Sequence, residues 1–167
     1  SNSTELKHII TEFQRIALAH AEIALNLTHN ESDIYRLPQS NLRQRIVHVF
    51  GKGINSNLNK LETETSIVKI KGFVGKPEHA RKTSGEQFLF INNRYMRHPY
   101  FYRAVMRAYE KLLLHETYPS FFIYFDTDPN SIDINIHPTK TEIKFENEQA
   151  IFQILQSAVK EALGKTS

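Results

Sequence analysis

The sequence predicts an α+β fold, a two-layer sandwich built on one mostly antiparallel sheet. Three observations carry that prediction. Stretches in which apolar and polar residues alternate are interspersed with stretches of helical spacing. Several of the strand-like stretches are joined by turns too short to hold a helix. Phe88, Leu89, Phe90 and Ile91 are apolar on both faces, which marks a strand inside a sheet rather than at its rim.

The elements follow in order. Leu6, Ile9, Ile10, Phe13, Ile16 and Ala17 repeat at helical spacing behind Thr4, a capping residue, and predict an amphipathic helix over 5–20 with these residues inward. Ile23, Leu25 and Leu27 alternate with polar neighbours as a strand, and the polar stretch 29–32 turns it into a hairpin partner at 33–37. Ser40 is the expected cap of a short helix whose face is Leu42, Ile46, Val49 and Phe50, and Gly51 ends it. Residues 51–59, rich in Gly, Asn and Ser, read as a loop. Two long strands are expected at about 60–75 and 86–92, joined by the polar segment 77–85. Asn92 and Asn93 tolerate left-handed dihedrals and make a tight turn before Arg94. Phe101, Ala104, Val105, Ala108, Leu112 and Leu113 predict a helix over about 99–114. Pro119 opens a buried strand, 121–125, and Asp128, Pro129 and Asn130 form a reverse turn. Ile132, Ile134 and Ile136 alternate as a strand that Pro138 breaks, Ile143 and Phe145 resume the alternation, and a final helix turns Ile151, Leu155, Ala158, Val159 and Ala162 inward. Residues 1–20 are expected to be a linking helix, with Ser1 and Asn2 a remnant foreign to the natural chain, and 21–167 a single domain. The abrupt start at Thr4 reads as the edge of a fragment cut from a longer protein.

Composition excludes several classes. With no cysteine there is no thiolate zinc site and no disulfide, which fits a reducing compartment. No apolar run approaches 18 residues, so no membrane partner is expected. The eight histidines never stand at i, i+4, and no metal site is expected. Six glycines, at 51, 53, 72, 75, 85 and 164, cannot write a Walker loop or a dinucleotide fingerprint. Nothing in the spacing pairs a nucleophile with a base, so no catalytic residue is expected in the chain and no cofactor of its own. The net charge of +3 is mild, but Arg94, Arg97, Arg103 and Arg107 cluster, with Arg81 and Lys82 before them. Lys140 follows Pro138 and Thr139 between two strands, a position that presents a compact cation at a fixed point and suits a phosphate.

The blocks GEQFLFINNRYMRHPY, AVMRAYEKLL, YPSFFIYFDTDP and DINIHPTKTEIKF, with the weaker TELKHIITEFQRIALAHAEIALNLTHN, resemble the MutL family of DNA mismatch-repair proteins, nearer its bacterial members than the eukaryotic ones. The likeness is to the second, transducer domain of that family's N-terminal ATPase region. It implies a ribosomal-protein-S5-domain-2-like fold with a left-handed βαβ crossover, which falls at 86–125. It implies that Mg-ATP sits in a preceding GHKL-type ATPase domain of the same chain. It places at Lys140 the lysine that reaches the terminal phosphate, with Thr139, His137 and Pro138 shaping its loop. It further implies a homodimer partner, a MutS-type mismatch recogniser, a cytoplasmic, nucleoid-associated location, and a DNA channel with basic residues from the region of Arg94 and Arg97 and, more weakly, Arg103, Arg107, Arg81 and Lys82. Pro99 departs from the pattern where bacterial relatives can carry an arginine. The residues alone leave open a different reading, an independent nucleic-acid-binding module of S5-like fold.

Overall fold

A computed structural model describes residues 2–134 and 143–164, and the contacts divide the chain into two compact units, 1–56 and 57–167. The sequence boundary was expected after residue 20. In the structure 21–56 group with the first helix.

In the first unit α1 (Asn2–Ala19) buries only Ala17 and Leu18. Ile9 and Ile16, expected inward, are 50% and 54% exposed. Next, β1 (Leu25–His29) and β2 (Ser32–Leu37) pair antiparallel. The turn between them holds Asn30 and Glu31 at φ 50° and 64°, the left-handed pair whose twist matches that of the flanking strands. Helix α2 (Leu42–Phe50) is capped by Asn41, one residue past the expected Ser40. The Gln44 backbone N–H donates to Asn41 Oδ1 at 2.8 Å, and the Asn41 N–H donates back to Gln44 Oε1 at 3.4 Å. Ala17, Leu37 and Val49 form a small core, with Phe13, Leu25, Tyr35 and Phe50 packed against it.

At the centre of this unit lies Arg45, fully buried. Its Nη1 donates to the carbonyls of Ala17 at 2.7 Å and His20 at 3.1 Å, and its Nη2 to those of Ala21 at 3.2 Å, Ile23 at 2.6 Å and Pro38 at 3.0 Å. The guanidinium therefore satisfies carbonyls at the end of α1, and cation and helix C-terminus favour each other. It fixes the path of the chain from α1 into β1 and out of β2.

The second unit is a sheet with helices on one of its faces. The strands β3 (Leu58–Glu64), β4 (Lys69–Gly75), β5 (Gln87–Ile91), β6 (Arg94–Met96) and β7 (Phe121–Asp126) lie in the order β3-β4-β7-β5-β6. Every pairing is antiparallel except β5 with β7. That parallel pair is the crossover expected within 86–125, and it carries α3 (Pro99–Ala108) between its strands. Ile70, Leu89, Ile91, Phe121, Ile123 and Phe125 share one core with the inward faces of α3 and of α4 (Glu148–Gly164). The opposite sheet face is also apolar: Phe88 and Phe90 stack on Phe122 and Tyr124, with centroids 5.7 and 4.6 Å apart, and all four are buried. Both faces of β5 and β7 are thus filled, as the double apolar pattern requires. A β-carbon at Gly72, φ 140°, would run into the Phe122 carbonyl oxygen, so β4 and β7 can approach there only with glycine.

Two expectations need correction. The strand expected over 60–75 is a hairpin: Thr65 Oγ1 accepts from the N–H groups of Ile67 at 3.2 Å and Val68 at 3.1 Å and turns the chain between β3 and β4. The helix expected to reach 114 stops at Ala108, Lys111 adopts φ 73°, and Leu112 and Leu114 are 52% and 82% exposed. Tyr109 explains the stop in part. Its buried hydroxyl donates to the Gly75 carbonyl at 2.5 Å, tying the end of α3 to β4, and burial pushes the phenol well above its ordinary range.

Beyond β7 a separate antiparallel pair, β8 (Ile132–Ile134) and β9 (Ile143–Phe145), has Ile134 opposite Ile143. No helix among the described residues is long and apolar enough to cross a membrane.

Candidate nucleic-acid and phosphate-contact surface

The basic residues singled out by sequence fall on consecutive elements. Asn92 and Asn93, at φ 48° and 67°, make the turn between β5 and β6. The Asn92 amide locks that turn to the chain after β7: its Nδ2 donates to the Thr127 carbonyl at 3.2 Å, and its Oδ1 accepts from the Thr127 N–H at 3.1 Å. Arg94 then opens β6, which forms one edge of the sheet, and Arg97 follows β6 directly. Within 94–98 Arg94 and Arg97 are exposed, Tyr95 is half-buried, and Met96 and His98 are buried. Among the described residues neither Arg94 nor Arg97 has an ion-pair partner. Glu86 pairs instead with Arg81, at 3.2 Å. Two guanidinium groups held out on a fixed edge, with no carboxylate to neutralise them, can accept phosphate oxygens.

The weaker candidates separate into kinds. Arg103 and Arg107 lie four apart on α3, which carries no acidic residue in its first turn. The Arg103 guanidinium sits 5.7 Å from the Tyr100 ring centroid and that of Arg107 5.5 Å from that of Phe152. Stacking of this kind orders a long side chain while leaving its N–H fork free to bind an anion. Arg81 is committed to Glu86, whose other oxygen accepts from Ser120 Oγ at 2.6 Å, so it is the poorest candidate of the group. Lys82 is exposed.

His137, Pro138, Thr139 and Lys140 lie outside the described residues, in the stretch 135–142 between β8 and β9. Beyond β9 an open depression of about 400 Å³ is lined by residues 145–150, with Glu146 and Glu148 on its wall. Two carboxylates there repel a phosphate. Two of the six glycines, Gly72 and Gly75, belong to β4.

Sequence reasoning missed His98. It caps α3: the Phe101 N–H donates to its Nδ1 at 3.2 Å, and its Nε2 meets Glu148 Oε1 at 2.9 Å. The signal was present, because a polar residue followed by proline is the usual opening of a helix. Arg45 was equally legible as an arginine beside Ile46 on an otherwise apolar helix face.

The fold of this chain is shared with known proteins. Residues 46–164 match the family model described as DNA mismatch repair protein, C-terminal domain. The chain belongs to that family, the MutL-type DNA mismatch-repair proteins. It is 54% identical over 167 residues to the DNA mismatch repair protein MutL of Parabacteroides distasonis, covering 100% of this chain and 27% of that protein. It is 58% identical over 165 residues to the MutL of Bacteroides fragilis, covering 99% of this chain and 26% of that one. The chain therefore spans about a quarter of the length of these relatives. Among solved structures, the N-terminal domain of a DNA repair protein superposes with a TM-score of 0.81 at 19% identity, covering 99% of this chain and 55% of that one. The Aquifex aeolicus MutL ATPase domain complexed with ADP gives 0.64 at 16% identity, covering 100% and 50%. These likenesses are of fold.

Proposed function

We propose that this chain is the transducer part of a longer MutL-type mismatch-repair ATPase, non-catalytic by itself. It acts with a preceding GHKL-type domain that holds Mg-ATP, and in the assembled protein it meets DNA, a second copy and a MutS-type recogniser in the bacterial cytoplasm, at the nucleoid. Lys140 supplies one cation to the terminal phosphate, with His137, Pro138 and Thr139 shaping its approach. A preorganised ammonium at developing negative charge lowers the barrier, and a contact made only when ATP is present gives the nucleotide a differential hold on one arrangement of the protein. Arg94 and Arg97, aided by Arg103 and Arg107, bind the phosphate backbone of DNA.

The observation that carries the DNA part of this reading is the fixed, solvent-facing pair Arg94 and Arg97, with no carboxylate partner among the described residues, in a chain of the mismatch-repair family. Support for the phosphate contact is the position of Lys140 in the sequence between β8 and β9, strands that pair Ile134 with Ile143. Two measurements test the whole. Calorimetry with Mg-ATP on the isolated chain should register no binding, and micromolar affinity would overturn the division of labour. In the longer protein with ATP bound, Arg94→Glu with Arg97→Glu should weaken binding to labelled duplexes about equally for all sequences and flatten the dependence on salt, since each lost phosphate contact lowers the slope by about 0.9. An unchanged slope in a folded variant would contradict the assignment.

A further inference from the structure

At the junction of β6 and α3 stands a buried polar side chain, His98, 6% exposed. Capping α3 needs only an acceptor for the Phe101 N–H, and Asn, Asp or Ser supply one. Imidazole does more. Because Nδ1 accepts from Phe101, the proton must reside on Nε2, and that nitrogen points at Glu148 Oε1, 2.9 Å away on the first turn of α4. The ring stacks on Phe101 with centroids 3.8 Å apart and meets Phe145 of β9 edge-on at 5.5 Å. The backbone that leaves Arg97 is thus clasped from three elements, α3, α4 and β9.

We infer that His98 is a positioning residue for the basic edge: by joining the β6–α3 junction to Glu148 it holds Arg97 in one orientation toward the phosphates of DNA. The inference rests on the assignment of Arg94 and Arg97 as phosphate contacts. His98 touches no nucleic acid itself. It acts through the backbone of its neighbour, lowering the conformational entropy that Arg97 would lose on binding.

The test is fluorescence anisotropy of a labelled random-sequence duplex with the longer protein, ATP bound, at fixed salt and well below the thermal midpoint. His98→Asn keeps an acceptor for Phe101 but cannot reach Glu148. Glu148→Ala keeps the cap and removes the acceptor, while Glu148→Gln keeps the acceptor and removes only the charge. His98→Asn and Glu148→Ala should each weaken affinity roughly three- to tenfold, the scale of one partly buried hydrogen bond. Their double variant should be no weaker than either alone, because both break one link. Glu148→Gln should stay within about twofold of wild type, and that rescue separates the link from the local charge. If Glu148→Ala binds like Glu148→Gln while Arg94→Glu with Arg97→Glu loses affinity, the clasp does not position the site and the inference falls alone. If the arginine variant also binds normally, the DNA assignment falls and takes the inference with it. Should His98→Asn not fold, the two Glu148 variants decide the matter, since both retain His98 as the cap.

Discussion

The two units of the chain are stabilised in opposite ways. In 57–164 the sheet has apolar residues on both faces, and Phe90, Phe121, Phe122, Ile123 and Phe125 are almost wholly inaccessible. Each such side chain contributes about 1.5–3 kcal/mol relative to exposure. In 1–56 the apolar core is small, and the residue at its centre is a charge. Arg45 replaces hydrocarbon with five carbonyl acceptors, drawn from the end of α1, the connection into β1 and the residue after β2. A buried charge stabilises only through its polar partners, so the first unit relies on one side chain more heavily than the second does.

That contrast is sharpest at Arg45. Arg45→Met preserves length and apolar volume but takes a donor from each of the carbonyls of Ala17, His20, Ala21, Ile23 and Pro38, of which His20 and Ala21 keep a backbone N–H partner. The expected loss is about 3–5 kcal/mol. Amide exchange should rise first at the end of α1 and in β1 and β2, with the amides of β5 and β7 as the internal reference. A variant as stable as wild type would show that the small core, not the guanidinium, holds the unit.

Gly72→Ala probes the other kind of stabilisation. The added methyl meets the Phe122 backbone, which cannot swing aside as a side chain would, and φ 140° is strained for alanine. A loss of about 2–4 kcal/mol is expected, seen as a lowered thermal midpoint with β4 and β7 exchanging faster.

Tyr109→Phe should cost about 1–2 kcal/mol by leaving the Gly75 carbonyl unpartnered. It also carries a pH signature. Burial raises the folded pKa of Tyr109 above that of the unfolded chain. Below about pH 10 the phenol is neutral in both states and the contribution is intact; above it the unfolded state alone releases the proton, and stability falls as pH rises. Tyr109→Phe should fall less steeply in that range, with the half-buried Tyr102, raised by burial and by Tyr118, supplying a residual slope of the same sign. Equal slopes would mean that Tyr109 titrates like a surface phenol.

Thr65→Ala is the mildest of the four. It removes the acceptor that turns β3 into β4 and should cost about 1 kcal/mol, read from a denaturant midpoint at unchanged slope.

These residues also explain what could be read from the sequence. The double apolar pattern of 88–91 and 121–125 announced the inner strands, because burial on both faces leaves no polar alternative. The Asn92–Asn93 turn was legible because few residues adopt left-handed dihedrals easily. The β3–β4 turn was not, since it contains neither glycine nor proline and depends on one threonine hydroxyl meeting two N–H groups. Leu112 and Leu113 kept helical spacing past the point where the Tyr109 hydroxyl anchors the chain, and spacing cannot register a contact 34 residues away. Among site residues, Arg94 and Arg97 were visible as charges in a cluster. The support behind them, from His98 to Glu148, joins positions that nothing local connects.

One measurement directly addresses the proposed contact of Lys140 with a phosphate held by another domain. In the longer protein, steady-state ATP turnover of Lys140→Ala should fall by about tenfold to a thousandfold, the scale for losing one preorganised charge contact, while the thermal midpoint stays at the wild-type value. Wild-type turnover accompanied by a lowered midpoint would make Lys140 a structural residue and contradict the account.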